Sequence, residues 1–280
     1  DAVVPTLSYR PLRGLATQLS LSAERNDVTI FNKGALAILR APDGLTLALS
    51  EKINFTWDLR DNPFNATRGA LLSTSLEHVN AFPLVANENK AKDLSHFLRF
   101  TGRLAGYVSL PRQLVLALSL AAGYNLQLFA ESKTYPDRLF FLGGVDSLRS
   151  FLANSVVPQD VAARIVDGGE GTTCVVGGTA STPNPLSICD VGIRGGDVMV
   201  NPRAELRIPL TDTFQAGLFL DAGNVWTGDT AIDLFVLRYA LGAGIRITTP
   251  IGPIAFDYGF NMNRRAWESL GAFHFSIGLF

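Results

Sequence analysis

In the stretch IAFDYGFN, Ile254, Phe256, Tyr258 and Phe260 fall on one side of an extended chain and Ala255, Asp257, Gly259 and Asn261 on the other. This period of two, repeated along most of the sequence, constrains the fold more than any other feature. In RYALGAGIRITT, Leu241, Ala243, Ile245 and Ile247 oppose Gly242, Gly244, Arg246 and Thr248. In RAELRIPL, Ala204, Leu206, Ile208 and Leu210 oppose Arg203, Glu205 and Arg207, so the charges keep to one face. Further alternating segments run over 15 to 24, 28 to 40, 44 to 59, 69 to 80, 96 to 110, 113 to 127, 213 to 225 and 272 to 280, with a weaker one near 3 to 9. The pattern predicts about eleven or twelve strands.

Many of these segments reach about ten residues, where soluble strands average about five or six and a tilted membrane crossing takes about 9 to 11. Turn chemistry separates them: PDG at 42 to 44, RDNPFNATRG at 60 to 69, LPRQ at 110 to 113, PLTD at 209 to 212 and TPIGP at 249 to 253. Aromatic residues collect near strand ends, at Phe55, Trp57, Tyr107, Tyr124, Trp226 and Tyr239, as in an interfacial girdle. The chain is 47% hydrophobic and 18% charged, with a mean hydropathy of +0.20. Such a balance suits a surface that meets lipid. No window approaches the roughly 18 uninterrupted apolar residues of a membrane helix.

A soluble β-sandwich or lipocalin-like barrel would also alternate, but its outer face should be rich in Lys and Glu. Here the polar face is Gly, Ser, Thr and Asn with sparse Arg and Asp, which fits a polar lumen better. The expected fold is all-β, an antiparallel transmembrane β-barrel. A net charge of -1 with scattered cations gives no footprint for nucleic acid. No signal-peptide pattern opens the chain at Asp1, so localisation has to be read from the body of the sequence.

Chemistry for an enzyme is not evident. His78, His96 and His274 are dispersed, no nucleophile elbow occurs, and the lone GxG of GAGIRI reads as strand glycine. His274, between Phe273 and Phe275, reads as a lumenal or rim histidine. No catalytic, cofactor-binding or metal-ligating residue is assigned, and no cofactor is expected. From about 129 to 196 the alternation lapses, and a loop of that length is functional or disordered. It holds both cysteines, Cys174 and Cys189, with no histidine near enough to complete a zinc site, so a local disulfide in an oxidising compartment is expected. It also holds FFLGGVDSLRSF, residues 140 to 151, where Arg149 stands alone among glycines and apolar residues. By itself such an arginine reads as an ordinary solvated loop cation.

FLGGVDSLRSF resembles the long-loop motif of the BamA/TamA-like outer-membrane assembly factors, a glycine pair followed by Arg-Gly-Phe or Arg-Gly-Tyr. FTWDLRDNPFNATRG at 55 to 69, LFLDAGNVW at 218 to 226 and PIGPIAFDYGF at 250 to 260 are similar to the same family in the same order, and FHFSIGLF at 273 to 280 is similar to its C-terminal strand. The resemblance implies the C-terminal barrel domain of this superfamily, the bacterial surface antigen family, in the outer membrane of a Gram-negative bacterium or an organelle of bacterial origin. It implies an insertase that offers an edge strand to client barrels by β-augmentation. A transport pore or partner-secretion translocator is the alternative. Implied partners are the outer-membrane bilayer, nascent β-barrel proteins, and periplasmic or lipoprotein accessory subunits.

The resemblance also implies that the 129 to 196 loop folds back into the lumen, where its arginine meets carboxylates of the inner wall. The matching residues are Arg149 with Glu205 and Asp221, supported by Gly143, Gly144 and Phe151. Phe273, Phe275, Ile277 and Phe280 would form the C-terminal strand signal. Two departures stand out: Ser150 replaces the glycine after the arginine, and Phe280 falls out of phase with Phe273, Phe275 and Ile277. The family barrel has about sixteen strands, with the loop after the eleventh. Only about six or seven precede it here, so the expectation is a chain without the first strands and without periplasmic POTRA modules, as a fragment or as a smaller barrel.

Overall fold

Strands whose side chains alternate in polarity are stable only where the two faces meet different surroundings, and the alternating segments that the structure describes become strands of one sheet. A computed structural model describes residues 2–28, 44–84, 95–162, 195–228, 232–249 and 253–277. Twelve strands form among the described residues: β1 (Ala2–Val3), β2 (Thr6–Leu12), β3 (Leu15–Val28), β4 (Gly44–Asp58), β5 (Gly69–Pro83), β6 (Ser95–Ser109), β7 (Val115–Gln127), β8 (Val198–Pro209), β9 (Phe214–Trp226), β10 (Arg238–Ile247), β11 (Ile254–Asn261) and β12 (Gly271–Ile277). From β3 to β12 each strand pairs antiparallel with the next. Both β1 and β2 run along the free side of β3, and the ladder is broken between them at Pro5, which has no N–H to donate. Among the described residues the sheet is open, with β1 and β2 at one edge and β12 at the other.

The strand list differs from expectation at the N-terminal end. β3 runs to Val28, fourteen residues where 15 to 24 was expected, because its pairing with β4 continues from Leu15 opposite Trp57 to Val28 opposite Gly44. The weak segment near 3 to 9 resolves into β1 and β2. Of the expected 28 to 40 strand, residues 29 to 40 lie outside the described residues.

One end of the sheet carries short turns, the other long connections, as membrane barrels arrange their periplasmic and extracellular ends. The turn after β6 places Arg112 and Gln113 at φ of 62° and 61°, two consecutive left-handed residues that match the strand twist without a glycine. Outward positions such as Leu49, Ile53, Leu76, Phe100, Leu220 and Phe275 are exposed, while inward Ser50, Glu77, Glu205, Asp221 and Asp257 are buried. No helix among the described residues is long and apolar enough to cross a membrane.

Two aromatic residues of the expected girdle face elsewhere. Tyr107 points inward, buried with Ala66 and Ala105, with the Arg207 guanidinium 5.6 Å from its ring centroid. Trp226 is only 1% exposed. Around it the chain returns from the long loop through Gly196, and a one-turn helix, α1 (Gln159–Ala162), packs on the end of β9, where Asp160 accepts from the Thr227 amide at 3.1 Å. Position near a strand end does not decide the face; phase and loop cover do.

Candidate functional site

The described parts of the long connection between β7 and β8, residues 128–162 and 195–197, lie against the inward face of the sheet. The connection is pinned at its base by a two-residue bridge, Phe140 N to Gly196 O at 2.8 Å and Gly196 N to Phe140 O at 2.9 Å. Beyond that bridge the chain doubles back, with Gly144 N donating to Phe151 O at 2.9 Å and Val156 N to Leu142 O at 3.2 Å. Gly143 makes this turn possible: its φ is 107°, and a Cβ there would stand 2.3 Å from the Leu152 carbonyl oxygen. Leu142, Leu148, Phe151 and Val156 then pack with Val225 and Ala240 of the wall into a small apolar core. That core lowers Arg149 onto β9.

Arg149 is 1% exposed and fully engaged. Its Nε and Nη2 donate to the two oxygens of Asp221 at 2.8 Å each, a bidentate fork, and Nη1 donates to Glu205 Oε2 at 2.8 Å. Nη1 also reaches Asp257 Oδ2 at 3.2 Å, and the guanidinium lies 3.5 Å from the Phe219 ring centroid. Burial alone would favour loss of the proton, but the hydrogen bonds and charge of Asp221, with Glu205 behind it, outweigh burial and raise the Arg149 pKa above its already high ordinary value. The cation is permanent.

The carboxylates are shared. Arg207 Nε donates to Glu205 at 2.9 Å, Arg246 Nη2 to Glu205 at 2.8 Å, and Arg203 Nε to Asp221 at 3.2 Å. Arg203 also turns back on the loop, donating to the Asp146 and Val145 carbonyls at 2.9 and 3.0 Å. The structure thus brings Arg149, Glu205 and Asp221 together, with Gly143, Gly144 and Phe151 shaping the loop around them.

Sequence reasoning missed two members. Asp257 is a third carboxylate, on the polar face of IAFDYGFN where its phase already put it. His274, on β12, donates from Nε2 to the Arg149 carbonyl at 3.1 Å. A further requirement lies at Gly259, where an added Cβ would sit 2.3 Å from that same carbonyl oxygen. Only a glycine lets the loop lie this close to β11. Ser150, which departs from the family motif, takes no left-handed φ and is fully buried, so the backbone there accommodates a side chain.

A second arginine was also missed. Arg138 donates from Nη1 to Glu77 Oε1 of β5 at 2.8 Å and from Nη2 to Glu24 Oε1 of β3 at 2.7 Å. Its carbonyl accepts from Arg99 of β6 and, at 3.2 Å, from Asn125 Nδ2 of β7. The histidines are not all dispersed either. Strand register brings His78 and His96 together on the outward face, Nε2 to Nε2 at 2.8 Å, with Glu51 Oε2 2.7 Å from His78 Nδ1. Among the described residues no group of His, Cys, Asp or Glu is arranged to hold a metal ion.

With this geometry in view, the chain can be set beside known proteins. The domain model of the Omp85 superfamily matches residues 8–280. The chain belongs to the Omp85 superfamily. The outer membrane protein assembly factor BamA of Nitratidesulfovibrio vulgaris is 21% identical over 259 residues, 92% of this chain and 29% of that protein. BamA of Neisseria meningitidis serogroup B is 27% identical over 142 residues, 39% of this chain and 18% of its own length. The crystal structure of Haemophilus ducreyi BamA lacking POTRA domains 1-3 superposes with a TM-score of 0.70 at 18% identity, covering 99% of this chain and 53% of that one. The chain therefore spans under a third of the curated relatives and about half of that solved chain. It is a BamA-like Omp85 barrel domain, an outer-membrane protein of Gram-negative type.

Phe273, Phe275 and Ile277 of this Omp85 domain share the outward face of β12 and are exposed to the lipid side. Phe280, Cys174 and Cys189 lie outside the described residues.

Proposed function

We propose that this domain acts as an insertase for outer-membrane β-barrels, offering the edge of its sheet as a template to nascent client strands. The observation that carries the reading is the clasp around Arg149. It joins the loop to β8, β9, β11 and β12, holding the last strands from inside, and among the described residues no strand pairs with the outer edge of β12. An unpaired backbone group in hydrocarbon costs several kcal/mol, so an exposed edge favours any strand that can pair with it. The sheet also shortens toward that edge: β4, β5 and β6 have 15 residues each, β11 has 8, fewer than the roughly 9 to 11 of an ordinary crossing. A bilayer thins to meet a short apolar belt, which lowers the barrier to inserting a neighbour.

The loop from about 129 to 196 acts as the lumenal element of a single barrel domain. The partners are the outer-membrane bilayer, unfolded barrel precursors, and accessory subunits at the periplasmic side. No cofactor or chemical turnover takes part. The test is reconstitution of the full-length protein into proteoliposomes with an unfolded client barrel. Faster client folding than in empty liposomes, lost in Arg149→Ala, is the expected result. High steady conductance with no acceleration of client folding would replace the insertase by a transport pore.

A further inference from the structure

Arg149 holds one end of the loop, and the other end is held by groups to which the insertase reading assigns no part. Tyr135 of the loop is seated on Ala48 of β4 and Ala81 of β5, two small residues of the inward face. Beside that seat Arg138 spans β4 to reach Glu24 on one side and Glu77 on the other. Glu77 is buried, and its guanidinium partner is mostly so. Gln127 Nε2 to Thr134 Oγ1 at 2.7 Å and Ser132 with the His96 backbone fasten the chain leading to this point.

The two anchors face opposite parts of the sheet. Arg138 binds β3, which borders one edge; Arg149 binds β11, which borders the other, and touches β12 through His274. Between them the chain is short and stiffened by the Phe140–Gly196 bridge and its own apolar core. Such a segment cannot stretch to follow one wall without pulling on the other.

We propose that Arg138 is a positioning residue that fixes the loop across the lumen, tying β3 and β5 to the Arg149 clasp so that the braced loop keeps the barrel closed to ions. The wall contacts are specific to this arginine: a planar fork can satisfy two carboxylates that flank one strand, and the small side chains of Ala48 and Ala81 seat the neighbouring Tyr135. Releasing it leaves Arg149 in place and frees the proximal half of the loop to swing from the N-terminal wall.

The test is single-channel recording of the full-length protein in planar lipid bilayers, with heat-modifiable electrophoretic mobility to select folded barrels. Arg138→Ala is expected to raise open probability about tenfold, the population shift produced by losing a charge-assisted contact that only the closed state makes. Arg138→Lys, which keeps a cation between Glu24 and Glu77 but not the fork, should raise it less, which a general loss of folding would not do. A folded Arg138→Ala protein with parental open probability overturns the proposal. If Arg138→Ala does not fold, Glu24→Gln, which removes one arm and keeps the Glu77 pair, is read instead; a smaller rise supports the brace and no change overturns it. Client folding measured on the same samples reports the insertase separately, so its absence would strike that reading and leave the brace standing.

Discussion

The two arginine anchors of the loop differ in how far they have left water, and the difference assigns them different work. Arg149 is sealed under the loop, with every donor directed at carboxylates that are themselves buried and shared with three other arginines. Arg138 keeps 19% of its side chain exposed and makes one bond to each of two carboxylates, with Asp137 a looser third neighbour at 3.4 Å. A buried network is costly to break in part, because each remaining charge is left without water or partner. A pair that water still touches can open and re-form. The C-terminal clasp is therefore the permanent joint, and the N-terminal one the joint that can move.

Breaking the permanent joint should have the largest effect. Arg149→Ala is expected to cost about 3 to 5 kcal/mol, read as a lowered denaturant midpoint of the folded barrel in detergent, since the buried Asp221, Glu205 and Asp257 lose a shared cation. Arg149→Lys should recover less than half of that, because an ammonium cannot fork across Asp221 while reaching Glu205. Equal midpoints for the parent and Arg149→Ala would remove the distinction between the two anchors.

Gly259→Ala attacks the same joint through shape. The added methyl would push on the Arg149 carbonyl, backbone against backbone, and about 1 to 3 kcal/mol is expected. A silent substitution there would mean that the loop does not press on β11.

For the movable joint, Arg138→Ala should cost only about 1 to 2 kcal/mol in the same unfolding measurement, in line with a partly solvated charged pair. A loss as large as that of Arg149→Ala would make the two joints equivalent and count against the contrast.

The turn between β4 and β5 touches the clasp only at its second half, where Arg207 donates to the Ala66 carbonyl at 3.2 Å, and Asp61 binds within the turn itself. Asp61 accepts from the Thr67 hydroxyl and from the Thr67, Arg68 and Asn62 amides; although slight burial raises its pKa, these bonds lower it to about 2. A carboxylate whose folded pKa is depressed stabilises the folded form fully above its unfolded value of about 3.9, and the contribution fades as pH falls through about 2. Acid titration between those values should loosen this turn, seen as faster amide exchange at Thr67 and Arg68. The smallest change belongs to Ser150→Ala. The Ser150 hydroxyl is buried without a hydrogen-bond partner, so removing it relieves a desolvation cost and should leave stability unchanged or raise it.

Phase was legible in the residues because it is local. Successive Cβ atoms of an extended chain point to opposite sides, so once the apolar positions of RAELRI and IAFDYGFN meet lipid, Glu205 and Asp257 must point inward whatever the rest of the chain does. The same logic set Phe273 and Phe275 outward. What failed was reading the face of an aromatic residue from its nearness to a strand end. Tyr107 sits among inward residues because its phase matches Ala105, and Trp226 is covered by a returning loop that no alternation describes.

Register, curvature and the path of the loop were decided only by the tertiary structure. His78 and His96 are eighteen positions apart and meet because β5 and β6 pair with Asn80 opposite His96. Arg138 finds Glu24 at a separation of 114 positions, and Arg149 finds Asp257 at 108. Sequence alone put Arg149 in a loop and three carboxylates on an inner face; which of them it met depended on the sheet bending until β3 and β11 stood across one lumen, a distance that no single strand encodes.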